Sequence, residues 1–129
     1  MTEITIKKER PKHLDLRVIK QPLPAIASIL HRISGAGLFL MLPFLIFLFE
    51  LSLDSSLGFA MLQSVVAHPL AKLVLTGLLW AFLHHFCMGI RILLLDLNMG
   101  TDLKPARAST KAVLVISLAL TAILGVKLW

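Results

Sequence analysis

The chain has 129 residues, 57% of them hydrophobic and 16% charged, with a mean hydropathy of +0.87 and a net charge of +6. Too few charges are present to cover a water-soluble domain of this size, so lipid is the expected solvent and the apolar residues should gather into runs of about 18 or more. On such a chain the basic excess reports topology rather than nucleic-acid binding, and the lone Cys87, set in an apolar run, excludes a disulfide framework or a cysteine-based metal site.

Residues 1–24 form a mostly polar tail with Lys7, Lys8, Arg10, Lys12, Arg17 and Lys20. A signal peptide would pass quickly from a charged start into a short apolar stretch and a small-residue cleavage site. Glu3, Glu9 and Asp15 also argue against a mitochondrial transit peptide. The mature protein is therefore expected to begin near Met1. Pro22 and Pro24 then stand where proline is tolerated, at a helix start.

Three apolar runs follow, expected as transmembrane helices over 25–50, 69–95 and 109–128. Helices of about 20 residues, rising about 1.5 Å each, cross a hydrocarbon core of about 30 Å. Without strand alternation a spanning segment must be helical, because lipid offers its backbone no partner. Between the first two runs, Leu57–Val66 is moderately apolar. It reads as a short interfacial helix, or else as an early start of the second span. The fold class is thus an all-α integral membrane protein with three spans. The tail and the loop carrying Arg91, Lys104, Arg107 and Lys111 are the basic segments, which places both, and the N-terminus, in the cytoplasm. The first loop and the C-terminus lie outside, with Trp129 as an interfacial anchor.

Ionisable groups within a span are costly and mark candidate sites. The first span has His31 and Arg32, and the second has His84, His85 and Arg91. Lys72 at the outer end can snorkel to the headgroups. His84 and His85 point about 100° apart, so a regular helix cannot offer both to one metal ion. His85 lies in a stripe of small residues with Gly77, Ala81 and Gly89, whereas His84 lies between Trp80 and Met88. A flat macrocycle needs one ligand atom with little bulk a turn away on either side, which favours His85 as a haem ligand. The plainer reading of the stripe is close helix packing. His85 lies roughly 9 Å along the helix from Arg91 and so shares a leaflet with Arg32. Arg32, with His31 as a second donor, would suit anionic haem propionates; snorkelling is the alternative. Ser28, one turn before Arg32, adds a hydroxyl suited with it to a carbonyl ligand such as a quinone. Asp96 ends the second span, either as a solvated carboxylate or as a proton donor near the quinone. His13 and His68 read as surface residues.

Three motifs, RPKHLDL (Arg10–Leu16), PAIASILHRISG (Pro24–Gly35) and HFCMGIR (His85–Arg91) followed by Asp96, carry a resemblance. In order and layout the chain resembles the cytochrome b membrane-anchor subunits of succinate dehydrogenase (succinate:quinone oxidoreductase, the complex II family) over nearly its whole length. The resemblance implies one haem b held between this chain and a second small anchor, with His85 and a partner histidine as axial ligands. It implies ubiquinone at Ser28 and Arg32, propionates near His31 and Arg32, and Asp96 close to the quinone. It implies an iron–sulfur subunit and a flavoprotein subunit docked on the cytoplasmic face of a bacterial inner membrane, and no catalytic activity for this chain alone. One departure is Ile92, where many members have a histidine after the motif arginine. That position is not the axial ligand, but His84 is an extra histidine beside it. Other classes compatible with the residues are a cofactor-free scaffold or transporter subunit and a proton-conducting span.

Overall fold

The computed structural model describes Asp15 and residues 18–129, and every described element is an α-helix. Apart from Asp15 the RPKHLDL motif and most of the basic tail lie outside the described residues.

Helix α1 spans Leu23–Asp54, 32 residues, with Pro22 as its N-cap and Pro24 in its first turn. It passes through Pro43 without a break, as membrane helices tolerate when neighbouring groups absorb the freed carbonyl. It also runs past Glu50, since its helical backbone does not need apolar residues to continue. Ser55 then ends it in an extended conformation and caps α2, Ser56–Ala67, its Oγ accepting a 3.0 Å hydrogen bond from Gly58 N. Gly58 eases this corner, because a Cβ there would stand 3.1 Å from the Leu51 carbonyl oxygen, a tight contact. Thus Leu57–Val66 belongs to a separate helix rather than to an early start of the next span. His68, a surface residue, also shapes the chain: its Nδ1 accepts from Leu70 N at 3.2 Å and caps α3, with Pro69 in the first turn.

Helix α3 is Pro69–Asp96, 28 residues. It closes in a turn in which Asn98 (φ 60°) and Gly100 (φ 74°) take the left-handed conformation that these two residue types accommodate best. Helix α4, Leu103–Leu128, begins six residues before its apolar run, with Pro105 in its first turns and Lys104, Arg107 and Lys111 along its polar start. At about 1.5 Å per residue, α1, α3 and α4 are each longer than the roughly 30 Å of a hydrocarbon core.

Helix α3 packs against both α1 and α4, and runs antiparallel to each: His85 meets His31, and Arg91 meets Ser109. The core within the chain is narrow. Ala27, Met88 and Val113, one from each long helix, form its apolar centre. Most large apolar side chains face outward, Phe39 and Leu40 at 74% exposure and Val126 at 84% among them. Such a surface is unstable in water and suited to lipid or to other membrane helices. The chain is a multi-pass membrane protein.

Candidate functional site

The two adjacent imidazoles of α3 have opposite environments. His84 is fully enclosed, its ring stacked on Trp80 at 5.3 Å between centroids, with Met88 also buried one turn on. Neither of its ring nitrogens has a hydrogen-bonding partner among the described residues. A planar macrocycle has no path to it without parting the helices. His85 points toward α1 and is only half-buried. Its ring stacks on that of His31, 4.1 Å between centroids and 10° from parallel.

The polar contacts of His85 fix its tautomer. Its Nδ1 lies 3.0 Å from the His31 carbonyl oxygen and 3.4 Å from Ser34 Oγ, while Ser34 Oγ itself donates to the same carbonyl at 2.8 Å. A carbonyl only accepts, so Nδ1 is the nitrogen that carries a proton here, and in the neutral ring the lone pair falls on Nε2. The ring can come this close to α1 because residue 35 is glycine. A Cβ there would stand 2.6 Å from His85 Cε1 and 3.0 Å from Nδ1.

The small-residue stripe of α3 is not a packing seam within this chain along its whole length. A Cβ added at Gly77 meets nothing within 4 Å, and one at Gly89 meets only His31 Nε2, at 3.8 Å. Close intrachain packing instead runs along α4, where Thr110, Val113, Ser117 and Thr121 are buried at three- and four-residue spacing, while a Cβ at Gly125, at the end of the same line, would meet nothing within 4 Å. The hydroxyls of Thr110, Ser117 and Thr121 are satisfied by carbonyls of their own helix. This stripe is visible in the sequence but draws no attention there, because it contains no ionisable group.

Ser28 and Arg32 share one face of α1, turned roughly 90–130° from the Ala27 line that meets α3. Ser28 is half-buried and Arg32 exposed. Asp96 is exposed at the end of α3, roughly 16 Å along the axis from His85. Among the described residues no hydrogen bond or ion pair joins Asp96 to Ser28 or Arg32. His85 and His31 are therefore brought together, Ser28 and Arg32 flank them, and Asp96 stands apart.

Arg91 differs from its reading as a topology charge. It is buried at 7% exposure, its Nε donating to Ser109 Oγ at 3.0 Å and its Nη2 to the Ala106 carbonyl at 3.1 Å. It is a clamp between α3 and the first turns of α4. The sequence signal that was available is the position of Ser109, a small hydroxyl just after the basic loop.

No three His, Cys, Asp or Glu side chains come together among the described residues, which therefore form no such cluster for a bare metal ion. A haem would bring four nitrogens of its own and need only a further donor such as an imidazole nitrogen. His85, with Nδ1 engaged and a glycine under its ring, meets that requirement.

Residues 6–124 match the family model described as succinate dehydrogenase/fumarate reductase transmembrane subunit. The chain is 36% identical over 122 residues to the succinate dehydrogenase cytochrome b556 subunit of Coxiella burnetii, covering 94% of this chain and 98% of that one. It is 32% identical over 111 residues to the subunit of the same name from Paracoccus denitrificans, covering 86% and 85%. With that of Rickettsia bellii it shares 30% identity over 125 residues, covering 97% and 98%. With its spans, its motifs and this similarity over nearly its full length, the chain belongs to the family of transmembrane subunits of succinate dehydrogenase and fumarate reductase.

Proposed function

We propose that this chain is a haem b-carrying membrane anchor of a succinate:ubiquinone oxidoreductase in the bacterial inner membrane, with its N-terminus cytoplasmic. In this reading His85 Nε2 would hold the haem iron, and a second small anchor would contribute a further histidine. The anchors hold the iron–sulfur and flavoprotein subunits on the cytoplasmic face, and the chain has no turnover by itself. The observation that carries the reading is the His85 arrangement, an imidazole with Nδ1 tied to a carbonyl, so that Nε2 is the nitrogen available to iron. Three relatives named as cytochrome b556 subunits of succinate dehydrogenase support it.

When bound, haem b supplies one-electron chemistry, and the protein supplies position and electrostatics. His31 and Arg32 provide donors for the propionates. Ser28 donates a hydrogen bond to one quinone carbonyl and Arg32 polarises it, the pair standing one turn apart on the same face of α1. Asp96, exposed at the end of α3, would stand in the vicinity of the quinone and exchange protons with solvent. The large outward apolar surface is the area that lipid and the second anchor would cover.

The test is a dithionite-reduced minus oxidised visible spectrum of the complex purified through this chain. Wild type is expected to give b-type bands, and His85→Leu to lose them while the other subunits still co-purify. Loss in His84→Leu with retention in His85→Leu would move the ligand to the neighbouring residue. An intact wild-type complex without haem bands would overturn the haem assignment.

A further inference from the structure

The reading of His85 as an iron ligand leaves open what holds that imidazole in place. Three groups of α1 converge on the ring: the His31 carbonyl at 3.0 Å and Ser34 Oγ at 3.4 Å from Nδ1, and the bare backbone of Gly35 against Cε1. Ser34 is itself buried, at 5% exposure, and its hydroxyl donates to the same carbonyl oxygen that receives Nδ1–H. We infer that Ser34 and Gly35 are positioning residues which, through the His31 carbonyl, set the orientation and electron-donor strength of His85 from the neighbouring helix. This inference rests on the proposed haem ligation and extends it.

The chemistry assigns each group a different effect. Gly35 sets distance. A methyl there would press on Cε1 from 2.6 Å, well inside contact distance, so the ring must tilt or withdraw from α1. Ser34 sets strength. Its hydroxyl draws on the lone pairs of the carbonyl that Nδ1–H also uses. Removing it leaves that carbonyl a better acceptor for Nδ1–H, and a stronger Nδ1–H···O bond makes Nε2 the better donor to iron. A more basic axial imidazole favours the ferric state, so Ser34→Ala lowers the haem midpoint potential. Ser34→Thr keeps the hydroxyl and restores the wild-type value.

The experiment uses the whole purified complex, with haem content, the low-spin EPR signal and a potentiometric titration of the haem as readouts. Gly35→Ala is expected to lose haem or shift the EPR g values. Ser34→Ala is expected to retain haem with a lowered potential. A purely structural role would reduce the yield of complex without moving the potential of the haem that remains. Gly37→Ala serves as a control, because a Cβ there meets nothing within 4 Å and should change neither readout. Wild-type potential and g values in both Ser34→Ala and Gly35→Ala would overturn the inference even if His85→Leu had lost its haem. Haem retained in His85→Leu would overturn the ligation on which it stands. Should Gly35→Ala fail to assemble, Ser34→Ala, which removes one oxygen and adds no bulk, decides the matter by its potential.

Discussion

His84 and His85 show how far one residue step can separate two identical side chains. A 100° turn takes one imidazole into the shared core against Trp80, and the other onto the backbone of α1. The sequence distinguishes them through their neighbours at four-residue spacing, Trp80 and Met88 for one, Gly89 and Ala81 for the other. What it does not disclose is the Nδ1 contact, because that depends on which residues of α1 lie opposite. Ser34 and Gly35 stand next to the residues singled out in the sequence, and only the antiparallel register of α1 and α3 makes them neighbours of His85. On α1, Ser28→Ala is expected to raise the KM for ubiquinone about fivefold, the worth of one neutral hydrogen bond of ~1 kcal/mol. Steady-state assays of succinate:quinone reductase in membranes would measure it, and an unchanged KM would remove Ser28 from the quinone site.

Each long helix has its own reason for lying where it does. Helix α3 is the middle element, and its two inward lines make different contacts: one meets α1 at His85, the other meets α4 at Met88 and Arg91. Helix α4 approaches closely because Ser117 and Thr121 are small. Ser117→Leu is expected to force the helices apart and cost about 1–3 kcal/mol, the usual range for overpacking a filled core. Val115→Leu, on the outward face at 66% exposure, is expected to change little. Midpoints of denaturant unfolding in detergent would compare the two. Arg91 adds a polar contact to the same seam. Truncation to alanine is expected to cost about 2 kcal/mol, the value of hydrogen bonds from a charged donor. Arg91→Met, which refills the volume without a buried charge, should be milder. The same detergent unfolding series would rank them, and equal stability of Arg91→Ala and wild type would remove the clamp.

As a whole, the molecule could be read from sequence as a set of apolar spans, because lipid imposes length and helicity so strictly. The boundaries were less legible. Helix α4 starts at Leu103 rather than near residue 109, since a helix can carry Lys104, Arg107 and Lys111 outside the apolar layer just as well as a loop can. The charges locate the membrane edge, and backbone hydrogen bonding locates the helix end. The outward apolar side chains also explain why so small a core suffices: within lipid the helices need only to associate with one another, each already having formed its own backbone bonds.

The two attachments of α3 have a consequence for its length. His85 is held to α1 and Arg91 to α4, and the six-residue step from one to the other sets a phase difference of about 120° around the helix axis. One residue inserted or deleted within 86–90 would add or remove about 100° more, so that either the histidine or the arginine leaves its partner. The stretch therefore behaves as a fixed gauge, in which side chains can change but their number cannot. The turn at 97–102 lies outside that stretch, within the loop that Arg91 closes with Ala106 and Ser109, and an irregular turn can absorb an added residue without rotating a helix face. Length variation should be tolerated there and rejected a few residues earlier, a contrast that a library of single-codon insertions, scored for assembled complex, would display directly.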